Sequence, residues 1–215
     1  MVEKRLNDSL FTHSLSQREI DTAASLAYYG RLKPVEHLQL KNVNLSKVST
    51  EKMASLASSV EEYVYINNVN VCGLASILDQ VKCNKLEITD QGLASEEIEA
   101  LLRAMETRVD EVVIGFCVAL KPGLDYIKAL TKYSGQGPCG RLVINCDEDT
   151  AFKYIEMMEA WATSKSDGWK MMRHHGKGGK GLELVRESML KRERESSYDR
   201  KVKKVRAEEE EKDKE

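Results

Sequence analysis

The tetrapeptide Lys85-Leu86-Glu87-Ile88 alternates polar and apolar residues, as a short β-strand with one buried face does. Four other tetrapeptides also place apolar residues second and fourth, and the five copies end at positions 40, 66, 88, 114 and 144. The intervals of 26, 22, 26 and 30 residues leave room for one helix between strands. Such a strand buries its apolar side by stacking on neighbouring copies. The other copies are His37-Leu38-Gln39-Leu40, Tyr63-Val64-Tyr65-Ile66, Glu111-Val112-Val113-Ile114 and Arg141-Leu142-Val143-Ile144.

Helix signals lie between these strands. Ser95 is predicted to be an N-cap, and apolar residues at helical spacing follow over 98–105. Ser16 and Glu19 form a candidate capping box for a helix that precedes the first strand. Thr150 is predicted to cap a late helix. Further helices are predicted around 50–59, 73–80 and 122–133.

The turn after each strand completes a pattern that resembles the leucine-rich repeat. An apolar residue returns five positions after the strand end at Leu45, Val71 and Leu93. The resemblance covers 35–166 and implies an α/β fold, a leucine-rich-repeat-like solenoid of parallel strands and outer helices with a charged C-terminal helical tail. At the turn position that usually holds Asn or Cys in this family, the sequence departs from the family pattern. The usual ladder of turn side chains is therefore not expected. That position holds Val43, Val69, Gln91, Cys117 and Asp147.

The irregular repeats resemble, more specifically, the C-terminal sensing regions of cytoplasmic NACHT–leucine-rich-repeat immune receptors and their stand-alone relatives. The shared features are turns poor in Asn and helix starts of the Ser/Thr-Glu type. The resemblance implies ligand sensing or autoinhibition in innate immunity. The nucleotide-binding module of those receptors has no counterpart in this sequence.

Composition narrows the class of protein. The 33 Lys and Arg residues nearly balance 35 Asp and Glu, which argues against a protein whose main ligand is a phosphate backbone. The five cysteines are scattered without CxxC spacing, so neither a metal site nor a cofactor is expected. Reduced thiols, no secretory signal over 1–15 and no apolar run of membrane-spanning length together predict a cytoplasmic protein that does not bind membranes. The cysteines are Cys72, Cys83, Cys117, Cys139 and Cys146, and Cys117 is interpreted as a buried structural thiol.

Four segments are predicted: an N-terminal segment with a capping helix over 1–34, about five strand–helix repeats over 35–166, a last strand, Gly-rich loop and cap helix over 167–190, and a charged helical or disordered tail over 191–215. The first helix either caps the repeats or continues a longer protein, so we expect a monomer or a part of a larger chain. The Gly-rich stretch lacks the GxxxxGK[ST] order and is interpreted as a hairpin tip. The mixed charges of the following segment, 182–215, predict a helix from Leu182 onward, with the first apolar residues packed on the last repeat.

Strand residues that alternate with the buried ones would line the concave face of such a solenoid and bind a protein partner. Tyr63 and Tyr65 stand out, because exposed aromatic side chains are costly without a partner. The predicted function is therefore a non-enzymatic protein-interaction scaffold. The predicted partner-binding residues are His37, Gln39, Tyr63, Tyr65, Lys85, Glu87, Glu111 and Arg141.

Two other functions stay open. The basic stretch 165–180, with Lys177, Lys180 and Trp169, could bind nucleic acid, although the overall charge disfavours it. A hydrolase would need one of the four histidines beside a nucleophile, and no cysteine aligns with His37 on its strand. The neighbouring His174 and His175 are interpreted as a solvated loop rather than a metal site.

Overall fold

We analysed a computed structural model that describes residues 16–115, 128–145, 148–165, 168–176, 179–192 and 195. Of the predicted helix over 122–133, residues 128–133 are described: 128–130 are helical, whereas 131–133 lie beyond the helix end. The proposed thiol Cys117, the side chains of His174 and His175, and the tail from residue 196 onward lie outside the described residues. No helix of the described part is both long and apolar enough to cross a membrane.

The chain alternates strands and helices around one seven-stranded sheet. The strands are β1 (Val35–Lys41), β2 (Val60–Asn67), β3 (Lys85–Thr89), β4 (Glu111–Gly115), β5 (Arg141–Asn145), β6 (Trp169–Gly176) and β7 (Gly179–Arg186). The helices are α1 (Gln17–Tyr28), α2 (Thr50–Ser58), α3 (Leu74–Leu78), α4 (Ser95–Thr107) and α5 (Glu148–Thr163). The sheet order is β1-β2-β3-β4-β5-β7-β6, parallel from β1 to β5, and β7 runs antiparallel to both of its neighbours. The predicted α/β class with a mainly parallel sheet is confirmed.

The five repeated tetrapeptides occupy the five parallel strands in a common register. Their second and fourth residues pair with the equivalent residues of the next strand. All ten side chains are at most 3% exposed, so the predicted buried positions are confirmed. The two rows are Leu38, Val64, Leu86, Val112, Leu142 and Leu40, Ile66, Ile88, Ile114, Ile144.

A third buried row precedes the repeated tetrapeptides and is a feature that the sequence pattern did not reveal. Val35 pairs with Val60, and both are buried. Two residues separate Val60 from Tyr63 in β2, whereas one residue separates their partners Val35 and His37 in β1. The register therefore shifts by one, and β2 carries a bulge. The remaining members of the row are Cys83, Val109 and Cys139, each at most 1% exposed.

The helices cover the side of the sheet that carries these rows. Their buried residues join the strand rows in one hydrophobic cluster, and each of the first three helices contacts the next along the chain. Every strand–helix unit is therefore held by its neighbours. The helical members of the cluster include Ile20, Ala23, Met53, Leu56, Leu74, Ile77, Leu78, Ile98, Leu101, Met105, Met158 and Trp161.

Of the three predicted helix N-termini, one is confirmed and two are wrong. The Ser16 hydroxyl accepts from the Glu19 N–H at 3.4 Å, and the Glu19 carboxylate accepts from the Ser16 N–H at 2.9 Å, so the capping box is confirmed. Ser95 is not the N-cap of α4: the cap is Ala94, whose N–H donates to the Glu97 carboxylate at 2.6 Å. The Glu97 carboxylate thus satisfies the backbone N–H of the cap residue, although alanine has no hydroxyl to accept an N–H of the first turn. Thr150 lies inside α5 rather than before it.

The predicted helix from Leu182 is wrong, because Leu182 and Leu184 belong to β7. They alternate with Glu183, are 2% and 1% exposed, and pair with Ile144 and Leu142 of β5. A Cβ on Gly181 would collide with the Ile144 carbonyl oxygen, so only glycine allows this close pairing. The segment covers the last parallel strand as a β-hairpin, and helix begins only at residue 187. The Gly-rich stretch lies where β6 turns into β7.

A clamp of aromatic rings and Arg186 joins this hairpin to the repeats. Tyr133, Trp161 and Trp169 pack with ring centroids 5.2 to 6.2 Å apart. The Arg186 guanidinium lies 5.3 Å from the Trp169 ring and donates through Nη2 to the carbonyl oxygens of residues 135, 137 and 139 at 2.5, 2.7 and 3.2 Å. The Tyr133 hydroxyl donates to the Cys139 carbonyl oxygen at 2.7 Å. The hairpin and the loop before β5 are thus fastened by buried polar contacts.

Leu86→Asp should lower the free energy of unfolding by at least about 3 kcal/mol, because it buries a carboxylate without a partner in the stacked strand row. Glu87→Gln, one position along, should cost only about 1 kcal/mol, since the amide oxygen still accepts the Tyr63 hydroxyl. Urea titrations followed by far-UV circular dichroism compare the two. Equal losses would mean that the two faces of β3 are wrongly assigned.

Arg186→Met should lower the free energy of unfolding by about 3 kcal/mol, because it leaves several carbonyl oxygens of the loop without their donor. The exposed Arg103, paired with Asp79 at 2.9 Å, supplies the matched Arg103→Met control, which should shift the urea midpoint much less. Fluorescence of the two tryptophans, both in the clamp, reports the transition. An unchanged midpoint in Arg186→Met would show that the clamp does not stabilise the fold.

Candidate interaction face

The strand residues that alternate with the buried rows form the second face of the sheet, which we name the ladder face. All eight predicted partner-binding residues lie on it, and the strand register aligns them as the sequence predicted. Partner binding itself stays a prediction. The three rows are His37, Tyr63, Lys85, Glu111, Arg141, then Gln39, Tyr65, Glu87, Val113, Val143, then Lys41, Asn67, Thr89, Gly115, Asn145.

Opposite charges alternate along the first row. The Lys85 ammonium lies 3.5 Å from the Glu87 carboxylate and 3.4 Å from that of Glu111. Arg141 continues the series, 3.6 Å from Glu111 and 2.9 Å from Glu183 of β7. Each pair is a modest source of stability by itself, but the shared partners hold these side chains in fixed positions. The middle of the ladder face is therefore an ordered charge network rather than a set of mobile surface groups.

Tyr63 and Tyr65 lie side by side on β2, with ring centroids 6.4 Å apart and planes at 30°. The Tyr63 hydroxyl donates to the Glu87 carboxylate at 2.8 Å, and the Thr89 hydroxyl hydrogen-bonds to that of Tyr65 at 3.0 Å. Both tyrosines are half-buried, which corrects the expectation that they are exposed. Strands about 4.8 Å apart bring neighbouring side chains into contact and hold the rings against the face.

Burial, and then the hydrogen bond to Glu87, holds the pKa of the Tyr63 hydroxyl well above its usual value. The nearby negative groups Glu87 and Glu111 act in the same direction. The phenol therefore stays protonated at neutral pH and keeps donating to Glu87. This ring is fixed by its own hydrogen bond.

The bulge in β2 shapes the amino-terminal end of the ladder face. The extra residue puts the Glu62 carboxylate 3.2 Å from Nε2 of His37 on the neighbouring strand. The His37 ring also meets the Tyr63 ring edge to face, with centroids 5.9 Å apart. The Glu62 side chain is 56% exposed, the most accessible of the carboxylates in the ladder-face ion pairs described above. Bulges often redirect a side chain in this way near functional sites.

The turns after β1 to β3 do carry a ladder of polar side chains, which corrects the expectation from the sequence. Asn42, Asn68 and Asp90 have φ of 53°, 48° and 51°, a left-handed conformation that Asn and Asp tolerate. The Asn68 amide donates to the Asn42 side-chain oxygen at 2.9 Å. Gln91 accepts the N–H of Val69 at 2.8 Å. The ladder begins one residue before Val43, Val69 and Gln91, and the Asn or Asp directly after each of these three strands is its signal in the sequence.

A second part of this polar ladder is buried at the carboxyl end of the strands. Asn67, 6% exposed, donates to the Thr89 hydroxyl at 2.8 Å and to the Asp90 carboxylate at 3.0 Å. Since Thr89 also bonds to Tyr65, the turn ladder and the tyrosine pair form one connected network.

The two ends of the ladder face differ in accessibility. Val113 and Val143 are 6% and 5% exposed, although neither belongs to the main core cluster. The side chains of Glu111 and Arg141 are only 21% and 20% exposed. The tyrosine pair and the accessible carboxylate of Glu62 lie instead on β1 to β3, which is therefore the better candidate for contact with a partner.

The two buried cysteines of the described residues, Cys83 and Cys139, do not resemble catalytic thiols. Burial raises the pKa of Cys83 to about 12 and that of Cys139 to about 12. Their thiols donate to the carbonyl oxygens of Lys85 at 3.0 Å and Arg141 at 3.3 Å. Within the described ranges, no three His, Cys, Asp or Glu side chains are grouped so that they could hold a metal ion.

The described part of the basic stretch makes internal contacts. The Lys165 ammonium lies 5.1 Å from the Trp161 ring centroid, and the Lys170 ammonium lies 3.3 Å from the Glu187 carboxylate. The side chains of Lys177 and Lys180 lie outside the described residues. The nucleic-acid alternative is untested by these contacts.

Comparison with known protein families, with curated proteins and with solved structures finds no match to this chain.

Native protein treated with iodoacetamide at pH 8.5 should be alkylated at the exposed Cys72 and protected at Cys83 and Cys139. Peptide mapping by mass spectrometry measures the extent of alkylation at each cysteine. The folded state holds the protons of the two buried thiols more tightly than the unfolded chain, so their contribution to stability is complete below about pH 9 and is lost between about 9 and 12. Fast alkylation of Cys83 or Cys139 in the native protein would contradict this prediction and favour the hydrolase alternative.

Proposed function

We propose that the protein is a non-enzymatic interaction scaffold that binds a protein partner on the β1 to β3 part of its ladder face. The observation that carries the proposal is the stacked Tyr63–Tyr65 pair, held on an ordered polar surface by Glu87 and Thr89. Tyrosines of this kind are frequent anchors in protein interfaces. Because the rings are already fixed, binding would cost little additional side-chain entropy.

We further propose that the strand–helix units form a leucine-rich-repeat-like solenoid. Three observations support this: the consecutive parallel order of β1 to β5, the contacts between successive helices, and the spacing of buried residues. In the third unit Cys83, Leu86, Ile88 and Leu93 follow the apolar spacing of the leucine-rich repeat, with the polar Gln91 in the turn. In this arrangement the ladder face is the concave face.

The more specific proposal is a sensing piece of an innate-immune receptor of the NACHT–leucine-rich-repeat type. It is supported by the repeat pattern and by acidic first turns such as those of α2 and α4. Free thiols at Cys72, Cys83 and Cys139 suit a reducing compartment, and we therefore place the protein in the cytoplasm. The proposed function needs neither a metal nor a cofactor.

The double variant Tyr63→Ala/Tyr65→Ala should reduce capture of protein partners from cell extract at least tenfold, because it removes the proposed aromatic anchor. The matched control is Tyr28→Ala/Tyr29→Ala, which removes an exposed edge-to-face tyrosine pair at the end of α1. Quantitative mass spectrometry compares partner recovery, and circular dichroism melts confirm that both variants fold.

Equal recovery with both double variants would contradict the proposed interface. Loss of capture in Lys177→Glu/Lys180→Glu, with the tyrosine variant still active and the loss reproduced by nuclease treatment, would instead favour the nucleic-acid alternative.

A further inference from the structure

The amino-terminal end of the ladder face combines aromatic rings with carboxylates. We name it the amino-end patch and define it by His37, Glu62, Tyr63, Lys85 and Glu87. The five side chains form a contiguous surface through contacts between neighbouring strands: His37 with Glu62, His37 with Tyr63, Lys85 with Tyr63, and Tyr63 with Glu87.

The patch already holds one cation of the chain itself. The Lys85 ammonium lies 5.5 Å from the Tyr63 ring centroid and within 3.5 Å of carboxylate oxygens of Glu87 and Glu111. A ring face with carboxylates beside it is the environment that attracts ammonium and guanidinium groups. The position of Lys85 shows that this part of the ladder face accommodates a positive charge.

The patch retains an excess of negative charge after this internal pairing. With histidine counted as neutral, it carries the two carboxylates of Glu62 and Glu87 against the one ammonium of Lys85. The Glu62 side chain is 56% exposed, whereas that of Glu87 is 23% exposed. Glu62 reaches this position because of the β2 bulge, so the accessible carboxylate is placed by a specific irregularity of the strand.

We propose that the partner docks a lysine or arginine side chain on the amino-end patch, where the Glu62 carboxylate and the Tyr63 ring receive its charge. This inference rests on the proposed function and adds the chemistry of the partner. An acidic partner segment would face the Glu62 and Glu87 carboxylates and be repelled, whereas a basic one is attracted by charge and by the rings.

The experiment selects binders from a random peptide display library against the immobilised full-length chain and measures synthetic peptides by fluorescence anisotropy. Selected peptides should share a lysine or arginine, and replacing it by glutamine should weaken binding at least tenfold. Glu62→Gln should weaken the parent peptide by a similar factor, and binding should weaken further as salt is raised. The matched control Glu96→Gln alters an exposed carboxylate on α4 and should leave binding unchanged.

The outcomes separate this inference from the proposed function. If the peptides bind Tyr63→Ala/Tyr65→Ala as tightly as the unchanged chain, the proposed interface itself fails. If the tyrosine variant loses binding, but the peptides share no basic residue or tolerate Glu62→Gln, the interface stands and the basic-partner inference is overturned. A selection that enriches no peptide for the ladder face counts against both.

Discussion

The common register of β1 to β5 is the constraint on which the rest of this structure depends. Each strand contributes the same two apolar positions to the core, so the alignment that buries Leu86 between Val64 and Val112 also aligns Tyr63, Lys85 and Glu111 on the other face. A slip of one residue would exchange the two faces. Core packing and the order of polar side chains are therefore two results of a single alignment, and the proposed partner surface is arranged by the core.

The polar contacts on the ladder face follow from this alignment, because it brings side chains of neighbouring strands within hydrogen-bond distance. Neighbouring strands bring Tyr63 to Glu87 and Asn67 to Thr89, although about two dozen residues separate each pair in the chain. The ladder face is consequently more rigid and more buried than isolated strand residues would suggest. Rigidity favours recognition of a defined partner shape over adaptable binding of many partners.

The two buried rows of the repeated tetrapeptides could be predicted, and the contacts that depend on pairing between distant segments could not. The two strand rows follow from period-two alternation in five copies, which local pattern alone reveals. Leu182 and Leu184 were misassigned, because the charged residues around them are equally compatible with a solvent-exposed helix and only pairing with β5 decides for a strand. The Arg186 contacts join residues 47 to 51 positions apart, and no local spacing encodes such contacts. The Asn42–Asn68 bond depends likewise on the register between strands.

The antiparallel direction of β7 restricts where further strand–helix units could be added to the sheet. Beyond β5 the sheet continues with a strand of opposite direction, and Gly181 lies so close to the β5 backbone that no other residue fits there. A sixth parallel unit could not be appended after β5 without expelling β7 and the aromatic clamp behind it. Any lengthening by duplicated units, in evolution or by engineering, would have to occur at β1 or between existing strands, so the number of units can vary while the β5–β7 junction stays the same.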